Sequence, residues 1–112
     1  MHTMVDALQA GRLLELPDNT KERTLQILAN MIEAVPSVPA GVDMVGAVMA
    51  RERSASTALG MGWACPHARL PFDGDLVCAI GWSPKGIDYD TPDKLPVRIA
   101  VMYLIPENQK NT

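Results

Sequence analysis

Two stretches of this chain are apolar on both faces, and they decide what it can fold into. Leu76-Val77-Cys78-Ala79-Ile80-Gly81-Trp82 carries no charge, and residues 97–105 are interrupted only by Arg98. Such runs, hydrophobic at odd and even positions alike, are strands of a sheet that is covered on both sides. Turn residues bound the first of them, Pro71-Phe72-Asp73-Gly74 before it and Ser83-Pro84-Lys85-Gly86 after it. Residues 62–68 offer a shorter strand interrupted by Pro66, and residues 12–16 offer another, closed by Pro17.

The covering layers must come from the first half of the chain. Residues 4–10 read as a short helix with Thr3 as N-cap and Gly11 as stop. Residues 20–35 form the clearest helix: Leu25, Leu28, Ala29, Met31, Ile32 and Val35 share one face, and Glu22, Arg23, Gln26, Asn30 and Glu33 share the other. After the connection Pro36-Ser37-Val38-Pro39-Ala40-Gly41, residues 42–53 read as a further helix with Val42, Val45 and Met49 inward. Gly46 weakens that helix by about 1 kcal/mol. The expected fold class is therefore α/β, a sandwich in which helices come first and most of the sheet comes later. With 112 residues, the expectation is a single domain over 1–112. No helix follows residues 97–105, so one face of the sheet is expected to be under-covered and the chain to be a homo-oligomer.

Composition excludes several partners. Ten Lys+Arg against thirteen Asp+Glu give a net charge of −3, without the basic excess a nucleic-acid binder needs. No apolar run reaches the roughly 18–20 residues that span a bilayer, so no direct membrane insertion is expected. The start, Met1-His2-Thr3-Met4-Val5-Asp6, has no signal-peptide pattern, and two cysteines make no disulfide framework. Both point to the cytoplasm. Trp63 and Trp82 are read as core residues, and Cys65 and Cys78 as small buried apolar ones.

The chemistry is concentrated in residues 51–69. Arg51-Glu52-Arg53 ends a helix, Ser54, Ser56 and Thr57 follow, then Gly60-Met61-Gly62, and then Ala64-Cys65-Pro66-His67-Ala68. Glycines allow backbone N–H groups to approach an anion closely. Pro66 fixes its own φ and biases Cys65 towards extended backbone, which places His67 where a strand ends. A neutral imidazole there, with guanidinium groups nearby, can attack a phosphoryl group. The same histidine also reads as a solvated or hydrogen-bonded loop residue, Arg51 as a cation at a helix C-terminus, and Arg69 as a surface charge. Cys65, His67 and Cys78 lack a fourth ligand, so no metal is expected. Asp88, Asp90 and Asp93 lack the glycine and glutamate of a calcium loop and read as solvated turn residues. Gly60-Met61-Gly62 has no third glycine at position 65, which excludes a dinucleotide fingerprint, and no cofactor is expected.

Residues 51–69 resemble the phosphorylation-site signature of the fructose/mannitol-type enzyme IIA domains of the bacterial phosphotransferase system, a superfamily that includes the nitrogen-regulatory enzyme IIA proteins. Arg51, Ser56-Thr57, Gly60-Met61-Gly62 and Ala64-Cys65-Pro66-His67-Ala68 carry the pattern. The resemblance continues through residues 85–93 and 96–107, which are similar to the family's downstream loop and core strand. It departs at Trp63 and Cys65, where the family is aliphatic. The resemblance implies a mixed β-sheet flanked by helices, an α/β/α sandwich here lacking the family's C-terminal helices and second pocket histidine. His2 is the one other histidine in the chain. It also implies that His67 accepts a phosphoryl group from the histidine phosphocarrier protein and passes it to a IIB partner or holds it as a regulatory mark on a target protein. Arg51 contacts the phosphoryl oxygens in that scheme, and Thr57 lines the same pocket. The alternative is a regulatory or scaffold module that keeps the fold, binds a partner protein and does not transfer.

Overall fold

A computed structural model describes residues 2–17, 20–89 and 91–107, with the side chains of residues 2–4 left aside. The first element is α1 (His2–Gln9), which begins ahead of Thr3, the expected N-cap. It closes at Gly11, whose φ of 78° is left-handed. There Gly11 N–H donates to the Leu8 carbonyl at 3.2 Å and Arg12 N–H to the Ala7 carbonyl at 2.7 Å, a glycine-terminated Schellman end. Strand β1 (Leu13–Glu15) follows, and then α2 (Lys21–Glu33). Thr20 caps α2 by accepting from Arg23 N–H, and the expected inward stripe is buried at Leu25, Leu28, Ala29 and Ile32. Burying a side chain such as Leu28 or Ile32 contributes roughly 1.5–3 kcal/mol.

Helix α3 (Met44–Ser54) is capped by Asp43, which accepts from Gly46 N–H. Its fully buried row is Met44, Val48 and Glu52, spaced four apart, while Val42, Val45 and Met49 lie half-buried beside it. The buried row is therefore one position away from the expected one, and a carboxylate occupies its last place. Short strands β2 (Ala58–Gly60), β3 (Trp63–Ala64) and β4 (His67–Leu70) come next, and then two long ones, β5 (Val77–Ile87) and β6 (Val97–Pro106).

The sheet is mixed, in the order β1-β5-β6-β3-β2, with β4 also pairing β6. Strands β5 and β6 are antiparallel, whereas β1 lies parallel to β5, and β3 and β4 lie parallel to β6. β3 and β4 keep one register along β6, Ala64 opposite Ala100 and His67 opposite Tyr103. The break between them falls at Pro66, which has no N–H to give the ladder. β5 runs through Ser83-Pro84-Lys85-Gly86, where the sequence suggested a turn. The ladder to β6 is irregular between Trp82 and Ile87, and a bulge of this kind accommodates the proline.

One face of the sheet packs on α2 and α3 through Ala68, Val77, Ala79, Ala100, Met102 and Leu104. On the other face, Cys78, Ile80 and Val101 are covered by Ala7 of α1. Among the described residues that face is open beyond α1: Trp82 is 40% exposed, Trp63 43% and Leu13 47%. The tryptophans are thus not core residues, contrary to the expectation. They flank Ile99 in one cross-strand row on the face that the two longer helices do not cover. No helix among the described residues is long and apolar enough to cross a membrane.

Candidate active site around His67

His67 is the first residue of β4, half-buried, directly after the Pro66 break. Its neighbour Ala68 belongs to the core facing α2 and α3, so strand alternation turns the imidazole to the opposite face, beside its cross-strand partner Tyr103. The backbone leading to it is tied on both sides. Cys65 N–H donates to the Thr57 carbonyl at 3.0 Å, and Tyr103 N–H donates to the Pro66 carbonyl at 3.1 Å.

The imidazole Nδ1 lies 2.9 Å from the Cys65 carbonyl oxygen. A carbonyl only accepts, so Nδ1 carries the hydrogen and donates it, and the lone pair of the neutral ring resides on Nε2. The dipeptide step Cys65-Pro66 therefore fixes the position of His67 and also its tautomer.

Arg51 and Thr57 stand where α3 hands over to β2. The Arg51 guanidinium donates from Nη1 to the Ala55 carbonyl at 3.0 Å, which closes the C-terminus of α3. Thr57 is buried, and its hydroxyl donates to a carboxylate oxygen of Glu52. Among the described residues, neither side chain hydrogen-bonds the imidazole. Thr57 reaches His67 through its backbone carbonyl and Cys65.

The Gly60-Met61-Gly62 turn is left-handed at all three residues, with φ of 89°, 56° and 87°. Its anion is an internal one: Met61 N–H donates to Asp93 Oδ2 at 2.7 Å, and Leu95 N–H donates to Asp93 Oδ1 at 3.1 Å. Those donors hold the Asp93 carboxyl below the usual carboxylate range. Asp93 therefore staples the turn to the loop before β6. Asp88 is exposed, and Asp90 lies outside the described residues. Arg69 is exposed, and the side chain of His2 lies outside the described residues.

A buried polar cluster escaped the sequence reading. Glu52, with its side chain 4% exposed, forms an ion pair with Lys21 at 2.9 Å. It also accepts from Thr57 N–H at 3.3 Å, from the Thr57 hydroxyl, and from Tyr89 OH at 3.1 Å. A parallel bridge between Thr20 and Asp88 brings the next residues, Lys21 and Tyr89, together, with the ammonium 4.5 Å from the ring centroid. Burial, with Glu52 adding to it, pushes the Tyr89 phenol well above the ordinary range. The signal that was available was positional: Glu52 continues the Met44, Val48 row at a spacing of four.

Burial also pushes the Cys65 thiol up and raises Cys78 to about 11, the nearby Arg12 guanidinium partly opposing the shift at Cys78. The folded chain thus keeps the Cys78 proton that the unfolded chain releases above its ordinary value of 9.0. Stability is fully present below pH 9 and falls as pH rises towards about 11. Tyr89 adds to the loss above its ordinary value of 10.0. Urea titrations from pH 8 to 11 are expected to show this decline, with a shallower slope between 9 and 10 in Cys78→Ala. An unchanged slope in that variant assigns the decline to other groups.

The family described as "Phosphoenolpyruvate-dependent sugar phosphotransferase system, EIIA 2" matches residues 12–112. A nitrogen regulatory protein of Pseudomonas aeruginosa is 33% identical over 102 residues, 89% of this chain and 66% of the relative. A fructose-specific EIIA component of the phosphotransferase system in Haloferax volcanii is 31% identical over 93 residues, 83% of this chain and 60% of the relative. The crystal structure of nitrogen regulatory protein IIA-Ntr from Neisseria meningitidis superposes with a TM-score of 0.76 at 29% identity, covering 86% of this chain and 65% of that one. The mixed sheet with helices packed on it is the fold of that nitrogen regulatory protein. The chain belongs to the EIIA 2 family of the phosphoenolpyruvate-dependent sugar phosphotransferase system. It spans between 60% and 66% of the length of these relatives.

Proposed function

We propose that this chain is a phosphohistidine carrier in which Nε2 of His67 is the acceptor atom. The observation that carries the reading is the Nδ1 contact with the Cys65 carbonyl, which leaves the Nε2 lone pair available. In the step, that lone pair forms a bond to phosphorus while the bond from phosphorus to the donor's histidine nitrogen breaks, and the donor imidazole leaves with the electron pair. The proton on Nδ1 stays against the Cys65 carbonyl, whose dipole stabilises the positive charge the ring acquires. Phosphoryl transfer asks a protein chiefly for position and charge stabilisation. Arg51 supplies the charge: one of its five N–H donors is committed to Ala55, and the others are available to phosphoryl oxygens. Thr57 sets the loop that carries the acceptor. In this reading the donor is the histidine phosphocarrier protein, the setting is the cytoplasm, and the recipient is a IIB-type protein or a regulated target.

One observation favours the alternative of a partner-binding module without transfer, namely that the Arg51 guanidinium is turned onto Ala55. The two readings separate in one experiment. The chain is incubated with enzyme I, histidine phosphocarrier protein and phosphoenolpyruvate, and its intact mass is measured. An acid-labile gain of one phosphoryl group is the expected result, and no gain beside an active donor selects the binding module.

A further inference from the structure

We propose that Glu52 is a positioning residue for His67, acting through Thr57 and Cys65; the proposal deepens the carrier reading and rests on it. The contacts form an unbroken chain. The Glu52 carboxylate receives both the N–H and the hydroxyl of Thr57; the Thr57 carbonyl receives Cys65 N–H at 3.0 Å; the Cys65 carbonyl receives Nδ1–H of His67 at 2.9 Å. Each link fixes a peptide orientation, and the last one fixes a tautomer. Because Thr57 is held through two groups to one carboxylate, its peptide plane cannot rotate without breaking a buried contact.

Two features set Glu52 apart from an ordinary stabilising residue. It is a buried charge, and burying an ion pair costs enough desolvation that apolar replacement is often neutral or better for stability. It also sits two residues from the end of α3, where the helix dipole disfavours a carboxylate. A negative charge kept in a doubly unfavourable place is explained by what it orients. Four donors from three separate segments converge on it, filling the four lone-pair positions of a carboxylate: Lys21 at the start of α2, Thr57 twice, and Tyr89 beyond β5. The same carboxylate braces the turn that contains Ala55, on which Arg51 rests.

The test reads the imidazole itself. Nitrogen-15 NMR of the ring distinguishes the two neutral tautomers, and it needs no phosphoryl donor. The wild-type chain is expected to show His67 as the Nδ1–H form. In Glu52→Gln the charge is lost and the carboxamide brings its own N–H groups against donors, so a mixture of tautomers is expected, with phosphoryl acceptance slowed at least tenfold. Glu52→Asp is expected to restore part of both. Should Glu52→Gln fail to fold, Thr57→Val and Tyr89→Phe each remove one donor, and a smaller shift in the same direction is expected from Thr57→Val. A folded Glu52→Gln, or a folded Thr57→Val in its place, with the wild-type tautomer overturns the proposal. Absence of labelling in the wild type overturns the carrier reading instead, and the tautomer ratios still decide the role of Glu52.

Discussion

His67→Ala is expected to take up no label from phosphoenolpyruvate under conditions in which, on the carrier reading, the wild-type chain is labelled to completion. The substitution removes the atom that the carrier reading gives the bond to phosphorus, and no arrangement of the surrounding charges replaces it. Folding is expected to be retained, because the imidazole is half-buried at a strand start and contributes little to the core. His2→Ala is expected to leave labelling unchanged. Arg51→Ala is expected to slow transfer without abolishing it, by about 10–1000-fold if the guanidinium contributes roughly 1.5–4 kcal/mol in the transition state. Arg51→Lys is expected to recover little, since it keeps the charge and loses a planar fork able to hold two oxygens. Labelled-phosphate incorporation into all five chains, in parallel and with circular dichroism as the folding control, checks the set. Label retained in His67→Ala moves the chemistry to another residue.

Gly86→Ala is expected to cost about 2–5 kcal/mol of folding stability, a large share of the roughly 5–15 kcal/mol a domain possesses. Gly86 has a φ of 85°, and a Cβ built on it meets Pro96 Cβ at 2.7 Å. The left-handed backbone contributes about 1–2 kcal/mol of that penalty, and displacing a proline that closes the entrance to β6 adds about 1–3 kcal/mol. Gly11→Ala is the matched control: its φ is also left-handed, at 78°, but nothing lies within 4 Å of the added carbon. It should lose only the backbone part. Urea midpoints of the two variants against wild type give the comparison. Equal losses at both positions show that Pro96 yields without cost.

How much of this architecture could be read from the residues depended on whether the cause was local. Helix α2 declares itself because Leu25, Leu28, Ala29, Met31 and Ile32 share one face at a period of 3.6, away from Glu22, Arg23, Gln26, Asn30 and Glu33, and Thr20 caps it with a contact three residues away. Strands β5 and β6 declare themselves by being apolar on both faces, but the length of β5 does not. Ser83-Pro84-Lys85-Gly86 has the composition of a turn, and it stays in the strand because the ladder to β6 tolerates an irregularity there. The histidine motif is legible through its resemblance to the enzyme IIA signature, and the tautomer of His67 follows from a contact between residues only two apart. What escaped was set by distant partners. The donor of Met61 finds Asp93, thirty-two residues later, and Glu52 becomes a buried anchor through Lys21 and Tyr89, which lie on other elements. Trp63 and Trp82 were misjudged because apolar side chains were equated with core, whereas their depth depends on what lies over one half of the sheet.

The alternation along β6 separates two kinds of change that this chain can undergo. Ala100, Met102 and Leu104 face α2 and α3, while Ile99, Val101 and Tyr103 face the side that carries His67. Substitutions at the first three positions are read by the fold, as stability. On the carrier reading, substitutions at the half-buried Ile99 and Tyr103 are read in addition by whatever approaches the histidine, as recognition. The two properties are thus written on interleaved letters of one strand. On that reading, a series of variants at Ile99 and Tyr103 is expected to retune which partners this face accepts while the buried half of the same strand goes on specifying the same fold.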